Sequence, residues 1–325
     1  MNSPTNRELR YCFVFVCQEG ELELKAMLLA ASLKRNLDCD YELVAAEPTP
    51  AERWGRVSDA GRQFLSGLGV RFVSITNGFE PPYPLANKIA CLEIEIDADK
   101  IIFLDSDILC TRPFRHDDRF RTPINVKPAD IVSFTADIAT WERVYKVAGG
   151  PPLPADRVKT TFSNEEMPPY FNSGVVAVPA GSPFPAEWRR CTQAIIADEE
   201  LNVAPHWREQ TGLPVAAAKL GLAYDCLDEN YNYPVHIRPL DPERLPIFAH
   251  YHTPEIIARE PILKALVADL AREHAALATR LRSERKWRPL LREPGTGSGE
   301  GFGRKLRDAY LRVRGATFVP LANRW

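Results

Sequence analysis

The 325-residue sequence has no apolar run that is long enough to cross a membrane and no paired cysteine motif. A membrane-spanning helix needs about 20 consecutive apolar residues, and the apolar run at residues 11–17 is far shorter. No apolar region follows a basic start at the amino terminus, so we expect no signal peptide. The seven cysteines are scattered and never spaced as Cys-x-x-Cys. This pattern argues against a disulfide framework or a zinc cluster and favours a reducing, cytoplasmic setting.

A strong excess of charge of one sign is also absent, since the formal net charge is −2. The chain as a whole therefore lacks the basic signature of a nucleic-acid-binding protein, and we expect no nucleic-acid partner. The carboxyl-terminal region differs, because from residue 280 onwards twelve Lys or Arg stand against four Asp or Glu. The composition, 45% hydrophobic and 26% charged, is typical of a folded protein with a sizeable core.

Short apolar runs alternate with segments of helical periodicity along the chain. The runs predict strands at residues 11–17, 41–46, 70–75, 100–104, 131–135, 172–179 and 247–250. The periodic segments predict helices at residues 22–35, 57–68, 84–96, 185–197 and 263–285. This alternation predicts parallel strands joined by right-handed crossovers, the open α/β class. Residues 149–169, rich in proline and polar side chains, read as a long loop.

The strongest local signal is IIFLDSDILCTRPF at residues 101–114. An apolar strand delivers Asp105 and Asp107 to its carboxyl end, the edge at which open α/β sheets bind ligands. Residues two apart in a strand point to the same side, so the two carboxylates repel each other unless a cation bridges them. Mg²⁺ or Mn²⁺ would keep coordination positions open for phosphate oxygens. The structural alternative is an Asp-x-Asp that only forms a turn or a helix cap.

A phosphatase of the haloacid-dehalogenase type also begins with an apolar strand and Asp-x-Asp. In that reading Asp105 is the nucleophile and Asp107 the general acid. That family normally has Thr or Val where this chain has Leu109, and its motif lies near the amino terminus, whereas three strands precede it here. A late strand that ends in paired acidic residues is missing. The phosphatase remains the alternative reading.

Several motifs occur in an order and spacing that are more specific than any one of them. They are VCQEGELELKA at 16–26, YPLANKIACLE at 83–93, the Asp-Ser-Asp strand, YFNSGVVAV at 170–178, the Glu209-Gln210 pair and IFAHYH at 247–252. Over residues 10–255 the chain resembles the family 8-like glycosyltransferases of the GT-A fold, the group of glycogenin and bacterial galactosyltransferases. The resemblance implies a mostly parallel central sheet flanked by helices, with a helical C-terminal extension.

The resemblance also implies an order of segments. Residues 1–258 form the nucleotide-sugar transferase domain and 259–293 the C-terminal helix. Residues 294–303, PGTGSGEGFG, are a flexible linker by composition, and 304–325 are a basic tail.

By this resemblance a divalent metal ion is held by Asp105, Asp107 and His250, with His252 in place of His250 if the register of the strand differs. An imidazole beside two carboxylates favours Mn²⁺ over Mg²⁺. The structural alternative for His250 is a partly buried histidine at a strand end. The family follows this histidine with a lysine that contacts the diphosphate, and HTPEIIARE here contains none. Lys88 then becomes the better candidate for that contact.

The family pattern further implies a set of residues around a nucleotide-sugar donor, preferably linked to UDP. Catalytic roles fall to Gln210, Asn172 and Asp137, and donor contacts to Val16, Cys17, Gln18, Asn87, Lys88, Asp105, Ser106, Asp107, Asn172, Ser173, Gly174 and Glu209. Each has a plain structural alternative: a solvated surface lysine for Lys88, a turn for Asn172 and a helix N-cap for Asp137.

The resemblance implies transfer with retention of anomeric configuration by same-face attack, which needs no dedicated carboxylate base. The acceptor is a carbohydrate, a protein or a lipid-linked molecule. The basic segment RKLRDAYLRVR suggests peripheral contact with an anionic membrane at its inner, cytoplasmic face. A solvated tail or a packing helix explains the segment equally well. A catalytically silent GT-A module that only binds nucleotide-sugar is a further alternative.

Overall fold

A computed structural model describes residues 7–131 and 137–291. The predicted linker at 294–303, the basic tail at 304–325 and all but the first residue of the strand predicted at 131–135 lie outside these residues. The strands are β1 Tyr11–Val16, β2 Leu37–Asp38, β3 Tyr41–Thr49, β4 Val70–Thr76, β5 Lys100–Leu104, β6 Ile108–Cys110, β7 Phe114–Arg115, β8 Ile124–Pro128, β9 Val158–Lys159, β10 Glu166–Met167, β11 Phe171–Pro179, β12 Tyr224–Cys226, β13 Tyr233–Pro234 and β14 Phe248–His250. The helices are α1 Glu21–Asn36, α2 Ala51–Trp54, α3 Asp59–Gly67, α4 Asn87–Leu92, α5 Ile138–Val147, α6 Phe184–Ala197, α7 Arg208–Leu220, α8 Pro254–Arg259, α9 Pro261–Glu273 and α10 Ala275–Ser283.

A seven-stranded sheet in the order β12-β8-β11-β5-β1-β3-β4 forms the centre of the fold. The pairs β1–β3, β1–β5, β3–β4 and β12–β8 are parallel, and β11 runs antiparallel to both β5 and β8. β5 is buried along its whole length because both faces of the sheet are covered, and it accordingly reads as a continuous apolar run after its first residue. The predicted fold class, α/β with a mostly parallel sheet flanked by helices and a helical C-terminal extension, is confirmed.

The crossovers bring the carboxyl ends of β1 and β5 side by side. The hydroxyl of Ser106, just after β5, donates a hydrogen bond of 2.6 Å to the carbonyl of Val16, the last residue of β1. Binding functions in open α/β sheets concentrate at this edge because loops diverge there. The Asp-Ser-Asp motif therefore lies where the sequence pattern predicts it.

A second, three-stranded sheet in the order β13-β14-β6 stands beside this edge. β14 pairs antiparallel with β6, so that His250 lies opposite Ile108. The backbone amide of Tyr251 donates to the carbonyl of Asp107 at 3.1 Å. This register places His250 next to the two aspartates, although 143 residues separate it from Asp107 in the chain.

Several secondary-structure predictions need correction. The helix α7 was not predicted, and the loop predicted at 149–169 contains the antiparallel pair of β9 and β10. The strand β8 Ile124–Pro128 was missed, because its buried Lys127 breaks the apolar pattern. The helix predicted at 84–96 is a 3₁₀ turn, Pro84–Ala86, followed by the short α4. The single helix predicted at 263–285 is wrong, since α9 ends and α10 begins around His274, whose backbone is extended and whose ring packs edge-on against Phe64.

The C-terminal helices pack onto the apolar core around β1 and α1. Leu266, Leu270, Leu281 and Trp287 are buried in the same apolar cluster as the side chains of β1 and α1. Their burial against α1 explains why the amphipathic pattern continues past the last strand. Among the described residues, no helix combines the length and the apolar character that a membrane span requires.

Candidate functional site

Two carboxylates and an imidazole converge at the carboxyl end of β5. The Nε2 atom of His250 lies 2.9 Å from Oδ1 of Asp107 and 4.0 Å from Oδ2 of Asp105. His250 is buried, whereas Asp105 and Asp107 retain about a quarter and a fifth of their side-chain exposure (26% and 21%). The three side chains thus share one region that remains open to solvent on the side of the aspartates.

This geometry fits a divalent cation. Two ligand atoms about 2.1 Å from one ion and at right angles to each other lie about 3.0 Å apart. The separation of His250 Nε2 and Asp107 Oδ1, 2.9 Å, matches that value. Burial alone would raise the pKa of Asp107, but His250 and Lys25 hold it well below its ordinary value. The carboxylate is therefore ionised and available as a ligand at neutral pH.

His252 lies against His250, with the two ring centroids 3.8 Å apart. Ligand atoms of Asp107, His250 and His252 all lie within 4.8 Å of one another. Burial and the neighbouring His250 lower the pKa of His252 to about 3, so its ring is neutral. Both histidines that the sequence suggested are therefore at the site. Of the two rings, that of His250 contacts Asp107 directly.

Lys88 occupies the other side of Asp105. Its ammonium lies 2.9 Å from the hydroxyl of Ser173, 3.3 Å from Asp105 and 3.6 Å from Glu209. Burial would lower the pKa of Lys88, but the charges of Asp105 and Glu209 outweigh it and the pKa is raised. Lys88 is thus a buried lysine beside two carboxylates, whereas the structural alternative was a solvated surface lysine.

Glu209 and Gln210 begin α7 on this same side. The buried carboxylate of Glu209 accepts from the hydroxyls of Ser173, at 2.9 Å, and Tyr83, at 2.8 Å. The amide oxygen of Gln210 accepts from Tyr170 at 3.0 Å. The Glu209 carboxylate is therefore engaged within the protein, and the Gln210 amide is held through its oxygen by Tyr170.

The remaining residues of the prediction take different positions. Val16 and Gln18 are half-buried at the end of β1, and the Cys17 thiol between them is fully buried, which raises its pKa. The buried Asn87 accepts from the amide of Asn77. Asp137 caps α5 by accepting from the backbone amides of Ala139 and Thr140, so the N-cap alternative describes its contacts in this structure.

Asn172 uses both ends of its amide within the protein. Its oxygen accepts from the backbone amide of Gly174 at 2.9 Å and from Asn232 at 2.8 Å, and its nitrogen donates to Asp130 at 3.3 Å. Asn232 in turn lies 2.8 Å from Nδ1 of His250. A role of Asn172 toward a sugar stays a prediction, while its contacts connect it to the histidine.

Lys25 and Asn232 belong to the site, and sequence reasoning missed them. The Lys25 ammonium lies 3.4 Å from Asp107 and 2.9 Å from the carbonyl of His252. Its signal was a charge inside an otherwise apolar stretch of α1, where Lys25 has only 12% side-chain exposure. Asn232 lies in a loop of polar residues and gave no local signal.

Comparison with known families identifies the chain. Residues 13–221 match the family described as the Rhodobacterales glycosyltransferase domain. The chain belongs to this glycosyltransferase family. The transferase domain so defined contains the Asp-Ser-Asp motif, Lys88, Asn172 and Glu209 within its matched range. This membership favours sugar transfer over the phosphatase reading of the same aspartates.

Solved glycosyltransferases resemble the transferase at low sequence identity. An active-site mutant of LgtC is 16% identical over 74% of this chain and 87% of that one, with a TM-score of 0.47. The galactosyltransferase LgtC with donor and acceptor sugar analogues is 14% identical over 95% and 98%, with a TM-score of 0.43. Mouse xyloside xylosyltransferase 1 in its apo form is 14% identical over 75% and 98%, with a TM-score of 0.41. No curated protein sequence matches the chain.

Proposed function

We propose that the transferase moves a sugar from a nucleoside diphosphate, preferably UDP, to an acceptor hydroxyl in a metal-dependent reaction that retains anomeric configuration. The observation that carries the proposal is the convergence of Asp105, Asp107 and His250, with His250 Nε2 2.9 Å from one carboxylate and 4.0 Å from the other. A glycosyltransferase with such a group of ligands at the open edge of its sheet has the means to bind a diphosphate through a cation.

Asp105, Asp107 and His250 are the residues that would hold Mn²⁺ or Mg²⁺, and His252 is the alternative imidazole. When bound, the ion supplies positive charge that neutralises the diphosphate leaving group. The mixed oxygen and nitrogen donor set favours Mn²⁺. The neutral ring of His252, with its pKa lowered to about 3, supports its availability as a further ligand.

The donor would lie across the ends of β1 and β5. Val16, Cys17 and Gln18 would line the nucleoside pocket, and Ser106 would fix the loop that carries the aspartates through its bond to Val16. Lys25 lies 3.4 Å from Asp107 and 3.7 Å from Glu21, and at 12% its side chain is more exposed than that of Lys88, at 7%. We assign to Lys25 a contact with the diphosphate.

The reacting face would be formed by the start of α7 and the strand β11. Gln210 cannot act as a base because an amide does not titrate, but it can orient the sugar and stabilise positive charge near the anomeric carbon. The bond from the anomeric carbon to the diphosphate oxygen breaks, and a bond to the acceptor oxygen forms on the same face. The acceptor proton passes to the departing diphosphate, so that no further base is required.

A location in the cytoplasm and a peripheral contact with the membrane belong to the same proposal. All seven cysteines are free, and five of them are buried, which supports a reducing environment. The basic tail at 304–325 would attract anionic lipids. Co-sedimentation with anionic liposomes, compared between the full-length chain and a version that ends at residue 294, tests this contact. Equal binding by the two would contradict it.

Release of nucleoside diphosphate from a panel of UDP- and GDP-sugars, with Mn²⁺ and after EDTA treatment, tests the function. We expect metal-dependent release from at least one donor. Asp107→Asn removes a ligand charge and should abolish turnover, whereas Asp97→Asn, at a side chain with 98% exposure, should leave the rate unchanged. An Asp107→Asn variant with a near wild-type rate would overturn the proposal.

Phosphate-ester turnover and nucleotide-sugar binding, measured beside this assay, separate the alternatives. A phosphatase would turn over simple phosphate esters and form an aspartyl-phosphate at Asp105. A catalytically silent module would bind nucleotide-sugar without releasing nucleoside diphosphate under any metal condition.

A further inference from the structure

A series of hydrogen bonds that begins at a backbone amide holds the imidazole of His250 through its Nδ1 atom. Gly174 N–H can only donate, and it meets Oδ1 of Asn172 at 2.9 Å. This contact fixes the orientation of the Asn172 amide, because the opposite orientation would set two donors against each other. The same oxygen meets the amide of Asn232 at 2.8 Å, so that Asn232 must present its nitrogen there.

The consequence for His250 follows from the chemistry of an amide. With its nitrogen directed at Asn172, Asn232 presents its oxygen to Nδ1 of His250 at 2.8 Å. An amide oxygen only accepts, so Nδ1 must carry a hydrogen. In the neutral ring Nε2 then holds the lone pair, and this atom is the one that faces Asp105 and Asp107. The arrangement directs the metal-ligating lone pair of His250 toward the aspartates.

The backbone at Asn232 and Gly174 has the conformation and the space that this series of hydrogen bonds requires. Asn232 is 1% exposed and has a φ of 61°, a left-handed conformation that asparagine adopts more readily than most residues. At Gly174 an added Cβ would approach Oδ1 of Asn232 and two ring atoms of His250 to 3.0 Å. The carbonyl of Gly174 also accepts from the backbone amide of Asp105 at 2.8 Å. One glycine therefore positions an aspartate on one side and the histidine on the other.

We propose that Asn232 and Asn172 are positioning residues that hold His250 with Nδ1 as donor and Nε2 directed at the metal ion. The proposal rests on the metal-dependent function proposed above. It assigns Asn172 a role through the histidine, in addition to the sugar contact predicted from the sequence. Residues that form a hydrogen bond with the second ring nitrogen of a metal-ligating histidine typically contribute about 10- to 100-fold to metal affinity.

Titration of the full-length protein with Mn²⁺, followed by the electron paramagnetic resonance of the free ion, tests the proposal without any turnover. Asn232→Gly retains the left-handed backbone and removes the side chain, and we expect its Mn²⁺ affinity to fall about 10- to 100-fold. Asn164→Gly is a matched control, since Asn164 is exposed and also has a positive φ of 56°. Its Mn²⁺ affinity should equal that of the wild type.

Asn232→Asp separates positioning from a merely structural role. It keeps an oxygen acceptor for Nδ1 but loses the donor toward Asn172, so we expect a lower unfolding midpoint with Mn²⁺ affinity within about threefold of wild type. A structural role would instead make the affinity follow the midpoint in both variants, and that result would overturn the proposal. If Asn232→Gly does not fold, Asn232→Ser, whose hydroxyl is too short to reach the ring, replaces it with the same expectation.

Two failures are distinguishable in this experiment. If wild type binds Mn²⁺ and Asn232→Gly binds it within about threefold, the positioning role is wrong and the proposed function stands. If wild type binds no Mn²⁺, the metal-dependent function fails and the positioning role fails with it.

Discussion

Lysine side chains are buried at both ends of the region around β5, and their surroundings differ. At the amino end, Lys100 donates to the carbonyls of Thr122 and Pro123 at 2.5 and 3.2 Å, and burial lowers its pKa to about 7. At the carboxyl end, Lys88 lies among Asp105, Glu209 and Ser173, and its pKa is raised. The two lysines are 2% and 6% exposed, so burial does not explain the difference.

The comparison shows that carboxylates decide the state of a buried lysine here. Burial of a charge is costly at both positions, but only the carboxyl end offers charges that offset it. Carboxylates are also the groups that would bind a divalent cation, and the cation would in turn bind the anionic diphosphate. The carboxyl end therefore combines these ion pairs with the proposed metal ligands, whereas Lys100 at the amino end bonds backbone carbonyls.

The largest effect on stability should come from Lys88→Met. It leaves Glu209 buried beside Asp105 without a cation, and we expect the free energy of unfolding to fall by about 3 kcal/mol. Chemical denaturation measures this loss, with Lys146→Met on the exposed face of α5 as the control. The double variant Lys88→Met, Glu209→Gln should recover part of it. An unchanged stability of Lys88→Met would show that the ion pairs around it contribute nothing.

Lys25→Met should have a smaller effect on stability and a clear effect on the donor. Without Lys25, Asp107 is still 21% exposed and keeps His250 at 2.9 Å, whereas Glu209 beside Lys88 is 1% exposed, so we expect little change in unfolding. The KM for the nucleotide-sugar should rise about tenfold, equivalent to about 1.4 kcal/mol. Lys34→Met on the exposed surface of the same helix is the matched control. Equal donor KM values in Lys25→Met and Lys34→Met would return the diphosphate contact to Lys88.

The smallest expected effect concerns Lys100 and is a change in how the free energy of unfolding depends on pH. The folded chain releases this proton near pH 7 and the unfolded chain near the ordinary value of 10.5, so the unfolded chain holds more protons between these values. The free energy of unfolding should therefore rise with pH across that window. Lys100→Met should remove about 1 to 2 kcal/mol of this rise, because two carbonyls already stabilise part of the charge.

Denaturation curves at pH 7 and pH 9.5 for wild type and Lys100→Met measure this slope. The contribution of Lys88 to the free energy of unfolding depends on pH in the opposite direction. Because its pKa is raised in the folded chain, protonated Lys88 stabilises the fold below its ordinary pKa, and this stabilisation is lost as pH rises through the folded pKa. Identical slopes in wild type and Lys100→Met would contradict the comparison between the two ends of β5.

The sequence predicted the parts of the site that depend on local pattern. Asp105 and Asp107 follow an apolar strand, and β5 has the predicted bounds, 100–104. The late strand that carries His250 was also predicted, because an apolar run leads directly into the histidine. Their meeting depends on the register of β14 against β6, which the family pattern implied and the residues alone did not.

The parts that escaped prediction depend on tertiary contacts. The buried Lys127 makes β8 read as polar, and its ion pair with Asp130 is visible only in the fold. Asn232 joins the site through contacts with residues 60 positions earlier and 18 positions later. The break at His274 has no proline or glycine to signal it, and packing against Phe64 accompanies it. In each case partners distant in sequence determine the role of the residue.

A crystal soaked with Mn²⁺ and UDP, with anomalous diffraction collected at the manganese absorption edge, tests the central claim most directly. We expect one anomalous peak about 2.1 Å from both Asp107 and His250 Nε2, with Asp105 beside it and diphosphate oxygens completing the coordination. A peak elsewhere on the molecule, or UDP bound with no manganese between the aspartates and the imidazole, would contradict it.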